Sequence, residues 1–452
     1  MHLLLVNPWI YDFSAYDLWA KPLGLLKIAE ILLKLRVKIS LIDCLDRYHP
    51  FLKDYLKGRL PRSSVYRCGN YYTERVEKPH IFKDIPRYYK RYGMPRDLFL
   101  KIVSGIEKPD MILVTSAMTY WYPGVFETIR LLKQRFPKIP LVLGGIYARL
   151  CFRHAKDNSG ADYVYPGKDI REILKIIDDF CGTKLSAEQI DFKNTFYAYQ
   201  LYPEISYITL RGSEGCPFRC SYCGWYLLEE RYSFVEPEFI LEKIQFYYKR
   251  GIRNFAFYDD AFLYNCKEYG IKIMQGIIKL RIKANFHTPN GLNICYIDKE
   301  VANLLKKSGF VHPRLGLEFI SSEEQKRFGK KTEFSQFLKV LSYLRKAGYN
   351  SSCIGVNLMI GLPGEDIREI EEAIRILANL NLRIHLEEYS PVPGTELYSK
   401  TGLSENLDPL WHNNSIFSFY FDKEKYYQIQ KIKDKVHKLN SKLLKDIKKN
   451  AF

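Results

Sequence analysis

Short apolar runs alternate with longer stretches of helical periodicity along most of the chain. In the first part, strand-like runs at 3–6, 38–42, 111–115, 140–143 and 163–164 are separated by helical patterns at 23–35, 122–136 and 170–180. Strands alternating with helices predict a parallel sheet covered on both faces, so residues 1–183 are expected to form a doubly wound, Rossmann-like domain. Residues 184–203 carry little periodicity and read as a linker. A second series follows, with strands at 207–211, 254–258, 284–288, 314–318, 354–360 and 383–388 and helices at about 236–250, 266–281, 298–308, 335–347 and 366–379. Six such repeats over residues 204–400 suit a partial (β/α)6, TIM-like barrel, whose functional groups collect where the strands end. Residues 401–452 form a C-terminal helical extension in which the Lys-rich stretch 422–449 reads as an amphipathic helix with a solvated face. The expected fold class is α/β throughout.

One interruption breaks the first series. Residues 47–98 form a long aromatic and basic insert containing Tyr-Tyr-Thr-Glu-Arg and Arg-Tyr-Tyr-Lys-Arg-Tyr-Gly. Inserts of this length serve as lids or partner surfaces, or as plain structural elaboration, and the residues alone do not separate these.

Composition narrows the class. Of the 452 residues, 47% are hydrophobic and 15% aromatic, which excludes a disordered chain. The N-terminal residues lack the pattern of a signal peptide, and no apolar run reaches the ~18 residues that span a bilayer. A soluble, cytoplasmic protein with no membrane span is expected. Lys and Arg exceed Asp and Glu by 69 to 51, for a formal charge of +18, which raises an acidic partner such as RNA. The excess is spread along the chain, however, and a nucleic-acid partner is not the favoured reading.

The cysteines carry the chemistry. Seven of the ten are scattered singly and read as small buried hydrophobes: Cys44, Cys68, Cys151, Cys181, Cys266, Cys295 and Cys353. The other three fall in Gly215-Cys216-Pro-Phe-Arg-Cys220-Ser-Tyr222-Cys223-Gly224, just after the first strand of the second series. Three thiolates this close can hold an iron–sulfur cube while leaving one iron open to a ligand. A structural zinc is the alternative, but it needs four ligands and no CxxC or His pair lies nearby.

Cys216-x3-Cys220-x2-Cys223, with aromatic Tyr222 before the last cysteine, resembles the signature of the radical S-adenosylmethionine enzymes. The resemblance implies that Cys216, Cys220 and Cys223 are catalytic ligands of a [4Fe-4S] cluster. In that family one electron from the cluster cleaves S-adenosyl-L-methionine to methionine and a 5′-deoxyadenosyl radical. Further cofactor-binding residues follow from the same resemblance. At the end of strand 2, Asp259 or Asp260 would hold the amino group of S-adenosylmethionine, with Asp259 preferred. Glu318, ending strand 4, could accept hydrogen bonds from the ribose. Gly361, in Ile360-Gly-Leu-Pro-Gly-Glu365, belongs to the segment lying along the adenine. Ser390 opens Ser390-Pro-Val-Pro-Gly-Thr395 after strand 6, another pattern common in this group.

The N-terminal domain resembles the cobalamin-binding domain preceding the barrel in one branch of these enzymes. Asn7-Pro8, Lys21-Pro22-Leu23-Gly24-Leu25, Thr115-Ser116 and Gly144-Gly145 carry this likeness. Thr115, Ser116, Gly144 and Gly145 would line the pocket of the nucleotide tail. The chain lacks Asp-x-His-x-x-Gly, which supplies a histidine to cobalt in other cobalamin proteins, and His154 reads as structural. Together the two likenesses imply a cobalamin-dependent methyltransferase or rearrangement enzyme acting on an unreactive carbon of a small-molecule substrate. A reductant protein such as ferredoxin or flavodoxin is implied as partner. The alternatives are an RNA-modifying enzyme of the methylthiotransferase kind and a non-catalytic cobalamin or iron–sulfur sensor.

Overall fold

Leu3 and Leu5 face one way along the first strand and Leu4 and Val6 the other, yet all four are fully buried. Such a strand must be covered on both faces, which is the condition of a parallel sheet between helical layers. The computed structural model describes residues 1–329, 332–404 and 406–449. In it, strands His2–Asn7, Lys38–Asp43, Met111–Val114, Leu141–Leu143 and Tyr163–Val164 form one five-stranded sheet, parallel at every pairing. Numbered along the chain their order is 2-1-3-4-5, the flavodoxin-like doubly wound arrangement. Leu4, Val6, Ile112 and Val114 enter one core, and Leu3, Leu5, Met111 and Leu113 enter the other.

The insert is a structured lobe. Its strands Thr73–Arg75 and Lys90–Tyr92 join Ile10–Asp12 in an antiparallel three-stranded sheet. Two of its arginines are tied down by ion pairs and carbonyls. The buried Arg47 pairs with Asp17 at 3.2 Å and donates to the carbonyls of Arg62, Arg67 and Asn70, while Arg91 pairs with Glu74 and Glu127. The stretch 184–203 packs on the sheet, with Leu185, Ile190, Phe192 and Leu201 against its core and the Ala198 N–H donating to Leu26 O at 3.1 Å.

The chain divides into two compact units, Met1–Ser206 with Asn406–His412, and Tyr207–Glu405 with Asn413–Phe452. In the second, strands Ile208–Leu210, Asn254–Phe257 and Asn285–His287 form one parallel sheet, and Arg314–Glu318, Gly355–Ile360 and Arg383–Glu388 form another. Parallel bridges at Phe286–Phe310 and Leu292–Leu315 link the two sheets into a six-stranded partial barrel. Its helices carry their own boundary signals. Asp298 and Asp366 cap the helices Lys299–Ser308 and Ile367–Asn379 with their side chains, and Gly309, at φ 95°, ends the first of these.

An incomplete barrel leaves strand edges bare, and the helix Lys423–Lys449 deals with one of them. The Asn440 amide accepts from Ile384 N–H at 3.0 Å and donates to Ile384 O at 2.7 Å, imitating a neighbouring strand. Tyr426, Ile429, Ile432 and Val436 are buried along the same helix. Its lysines therefore do not all belong to a solvated face. Lys433 pairs at 2.7 Å with Glu388, which ends the sixth strand, and Lys425 reaches the loop after the fifth.

Candidate active site

The cysteine loop leaves the first barrel strand through a small hairpin, Ser213–Glu214 paired antiparallel with Ser233–Phe234. Two consecutive aspartates at the end of the second strand hold its base. Asp259 Oδ1 accepts three donors, Ser213 N–H at 2.7 Å, the Ser213 hydroxyl at 2.7 Å and the Tyr269 hydroxyl at 2.6 Å. Asp260 Oδ2 accepts Gly215 N–H at 3.0 Å and pairs with Arg211 at 3.2 Å. Burial pushes the Asp259 carboxyl up, and pushes Asp260 up to about 7 against the pull of Arg211. Gly215, at φ 84°, passes so close to Arg231 that a Cβ would lie 2.5 Å from its carbonyl oxygen.

Further along, the loop is rooted from the other side of the barrel. Ser221 donates from both its N–H and its hydroxyl to Phe328 O, each at 3.0 Å, and its own carbonyl accepts Leu397 N–H at 2.8 Å. Phe328 lies in a π-helical turn, Gln325–Gly329, a distortion frequent at functional sites. The Tyr222 ring packs edge-on against Phe319, in a cluster with Phe328, Leu362, Tyr389 and Leu397. Tyr222 neighbours Cys223, Phe319 follows Glu318, Leu362 follows Gly361 and Tyr389 precedes Ser390. One hydrophobic cluster thus draws together the loops that carry the predicted mouth residues.

Cys220 is buried and Cys216 and Cys223 are half-buried, and all ten cysteines are outside any disulfide. Among the described residues no three His, Cys, Asp or Glu side chains converge to hold a single metal ion. A cubane gives each thiolate its own iron, so its ligands stand apart around the cluster. As a donor set, three thiolates match three protein-held irons of such a cluster and fall one ligand short of a closed tetrahedral zinc site. Glu318 adopts φ 65° just beyond a bulge in its strand, a backbone state costly for a non-glycine residue and concentrated at functional sites. Gly361, at φ 86°, donates its N–H to Glu365 Oε2 at 2.7 Å.

Residues 210–377 match the Radical SAM superfamily model. This chain carries a radical SAM domain. Hopanoid C-3 methylase of Methylococcus capsulatus is 27% identical over 185 residues, 41% of this chain and 34% of that protein. The ribosomal protein uS12 methylthiotransferase RimO of Clostridium botulinum is 24% identical over 351 residues, 76% of this chain and 69% of the relative. Relative to the hopanoid methylase, then, the match spans about a third of the longer protein. Among solved structures, the radical S-adenosylmethionine methyltransferase TsrM of Kitasatospora setae, with cobalamin and a [4Fe-4S] cluster bound, shares the fold. Its TM-score is 0.62 at 14% identity, over 88% of this chain and 77% of TsrM. The cobalamin-dependent radical enzyme OxsB gives 0.52 at 14% identity, over 88% of this chain and 55% of its own.

Outside the radical SAM domain, the four residues expected at the nucleotide tail converge where the third and fourth strands of the N-terminal sheet end. The Ser116 hydroxyl donates to Gly144 O at 2.6 Å, and Ile146 N–H donates to Ser116 O at 2.9 Å. Thr115 continues the ladder, its N–H donating to Val6 O at 3.1 Å. The two glycines differ. A Cβ on Gly145, at φ 95°, would lie 2.2 Å from Ser116 O, whereas one on Gly144 meets nothing within 4 Å. Only Gly144 borders open space. Lys21 is committed to Asp43 and Asp46, at 3.8 and 3.6 Å, and lies over the Tyr202 ring. His154 hydrogen-bonds Tyr147 at 2.6 Å among Tyr122, Phe126 and Tyr147, in agreement with a structural role.

The partial barrel also holds polar groups that its sequence did not flag. Arg314 donates to Pro289 O at 3.1 Å, contacts His385 at 3.0 Å and faces Glu387 at 3.7 Å. Burial, then the Arg314 and Arg383 charges, keep His385 neutral, at about 2. The period-two alternation of the strand at 314–318 signals an inward polar face, but it does not reveal the partners.

Proposed function

We propose that this chain is a radical SAM enzyme in which Cys216, Cys220 and Cys223 hold a [4Fe-4S] cluster and the barrel mouth binds S-adenosyl-L-methionine. When bound, the cluster supplies the electron that cleaves S-adenosylmethionine to methionine and a 5′-deoxyadenosyl radical. The observation carrying this reading is the doubly rooted cysteine loop within the matched domain. Asp259 and Asp260 hold the base of that loop, and Ser221 and Tyr222 tie its far end to strands 4 to 6. Both aspartates thereby position the loop, and Asp259 Oδ2, buried and outside those hydrogen bonds, keeps the ammonium contact expected from the motif. Glu318, Gly361 and Ser390 likewise keep their assignment to S-adenosylmethionine, and the small-molecule substrate would enter above them.

Cobalamin is assigned to the C-terminal edge of the N-terminal sheet, where Gly144 leaves room and Thr115, Ser116 and Gly145 shape the wall. Bound there, it would carry a methyl group, making the enzyme a methyltransferase or rearrangement catalyst for an unreactive carbon. The shared fold with cobalamin-bound TsrM supports this assignment. A methylthiotransferase role, suggested by the RimO likeness, would call for three further cluster cysteines in the N-terminal domain. Cys44 and Cys68 are buried there and Cys151 packs beside the core, as small apolar side chains would. As an enzyme of this class the chain needs an external reductant, for which ferredoxin or flavodoxin is proposed.

The test is anaerobic reconstitution with iron and sulfide, then incubation with dithionite and S-adenosylmethionine. Wild-type protein should form 5′-deoxyadenosine and Cys220→Ala should form none. A reconstituted wild type that yields no 5′-deoxyadenosine overturns the reading, and a visible spectrum after hydroxocobalamin loading tests the second cofactor.

A further inference from the structure

The helix Lys423–Lys449 lies outside the matched domain, yet one of its residues takes hold of the loop assigned to the adenine. Lys425 Nζ donates to Leu362 O at 2.9 Å and Glu365 O at 3.2 Å, and pairs with Glu365 Oε2 at 3.5 Å. That same Oε2 accepts Gly361 N–H at 2.7 Å, and the Glu365 side chain is 0% exposed. From the π-helical turn, Arg327 donates to Gly364 O at 3.0 Å and Pro363 O at 3.4 Å. Four consecutive carbonyls, from Leu362 to Glu365, are therefore taken by two cations. Gly361 and Gly364 both have positive φ, 86° and 69°, so this turn has conformational freedom that the cations remove.

We propose that Lys425 and Arg327 are positioning residues for S-adenosylmethionine, clamping the 361–365 turn in its ligand-ready shape, Lys425 acting through Glu365 and Gly361. The inference rests on the reading of that turn as the adenine segment. Removing Lys425 leaves the buried Glu365 carboxylate without its counter-charge, and a buried unpaired charge either takes a proton or escapes to water. Either response loosens the turn before ligand arrives. The cost then falls on binding, because the turn must be ordered at the expense of affinity, while turnover of bound S-adenosylmethionine is largely spared.

The experiment compares wild type, Lys425→Met, Lys425→Arg and Arg327→Met as full-length, anaerobically reconstituted proteins, reading iron content, KM for S-adenosylmethionine and kcat for 5′-deoxyadenosine. Lys425→Met should raise KM about tenfold, or 1.4 kcal/mol, with kcat within about twofold and iron content unchanged. Lys425→Arg should recover to within about threefold, and Arg327→Met, whose side chain is exposed, should raise KM about threefold even if Lys425→Met folds poorly. Wild-type turnover with unchanged KM in both methionine variants, or a fall in kcat at constant KM, overturns the inference alone. No turnover in wild type overturns the active-site reading beneath it.

Discussion

Asp259 and Asp260 adjoin in sequence but reach different parts of the cysteine loop, one holding Ser213 and the other Gly215. The sequence places two carboxylates at the end of a strand, and family likeness suggests an ammonium partner. What it cannot display is the short hairpin that returns Ser213 to within 2.7 Å of Asp259, because that hairpin is only two residues wide. Loss of such an anchor should be read in the metal content: Asp259→Ala is expected to retain several-fold less iron after reconstitution than wild type, although no thiol has been changed. Unaltered iron in that variant would remove the anchoring role. The adjacent glycines of the N-terminal sheet make a paired prediction. Gly145→Ala should destabilise the first unit by about 1–3 kcal/mol in denaturant melts, because its φ and the Ser116 carbonyl oppose a side chain. Gly144→Leu should leave stability nearly intact and weaken hydroxocobalamin binding, since it fills open space. Both glycines stood out in the sequence as one motif, and only their surroundings separate them.

At the scale of elements, the periodicities place the core strands and most helices within one to three residues, because buried parallel strands and capped helices advertise themselves locally. The contacts made by the C-terminal helix are a different matter. Lys425 meets Glu365 across 60 residues of chain, and Asn440 meets Ile384 across 56. Amphipathic spacing reveals which side of that helix is apolar, but says nothing of which lysines turn inward. Asn440→Leu should lower stability by about 1–3 kcal/mol, since it strips two backbone partners from Ile384. An unchanged melt would show that the strand edge finds other partners. Glu324, just before the π-helical turn, adds a pH-dependent element. Burial, then the neighbouring Glu369 and Glu365 charges, push Glu324 up to about 8. Between its ordinary value of 4.5 and about 8 the folded chain holds a proton that the unfolded chain has released, so stability falls as pH rises across that window. Glu324→Gln should flatten the decline in melting temperature from pH 6 to pH 8, and an equally steep decline would contradict the assignment.

For the molecule as a whole, the order of the chain and the order of its units differ. Residues 406–412 leave the barrel unit and rejoin the first, where Asp408 accepts from the Tyr122 hydroxyl at 2.9 Å and His412 bonds Thr119 at 3.0 Å. No composition shift marks this excursion, so the sequence reads residues 401–452 as one extension. Asp408→Ala should destabilise the first unit by about 1–3 kcal/mol, measured by a tyrosine-monitored melt, despite lying far along the chain from the sheet. Among the described residues no helix is long and apolar enough to cross a membrane.

The asparagine and lysines of the last long helix also set a schedule for biosynthesis. On the ribosome, the sixth strand and the turn after the fifth are complete well before residues 425–440 exist to hold them. A nascent chain therefore waits with one bare strand flank and an unclamped turn, and a mature pocket can form only once residues 425–440 have been made.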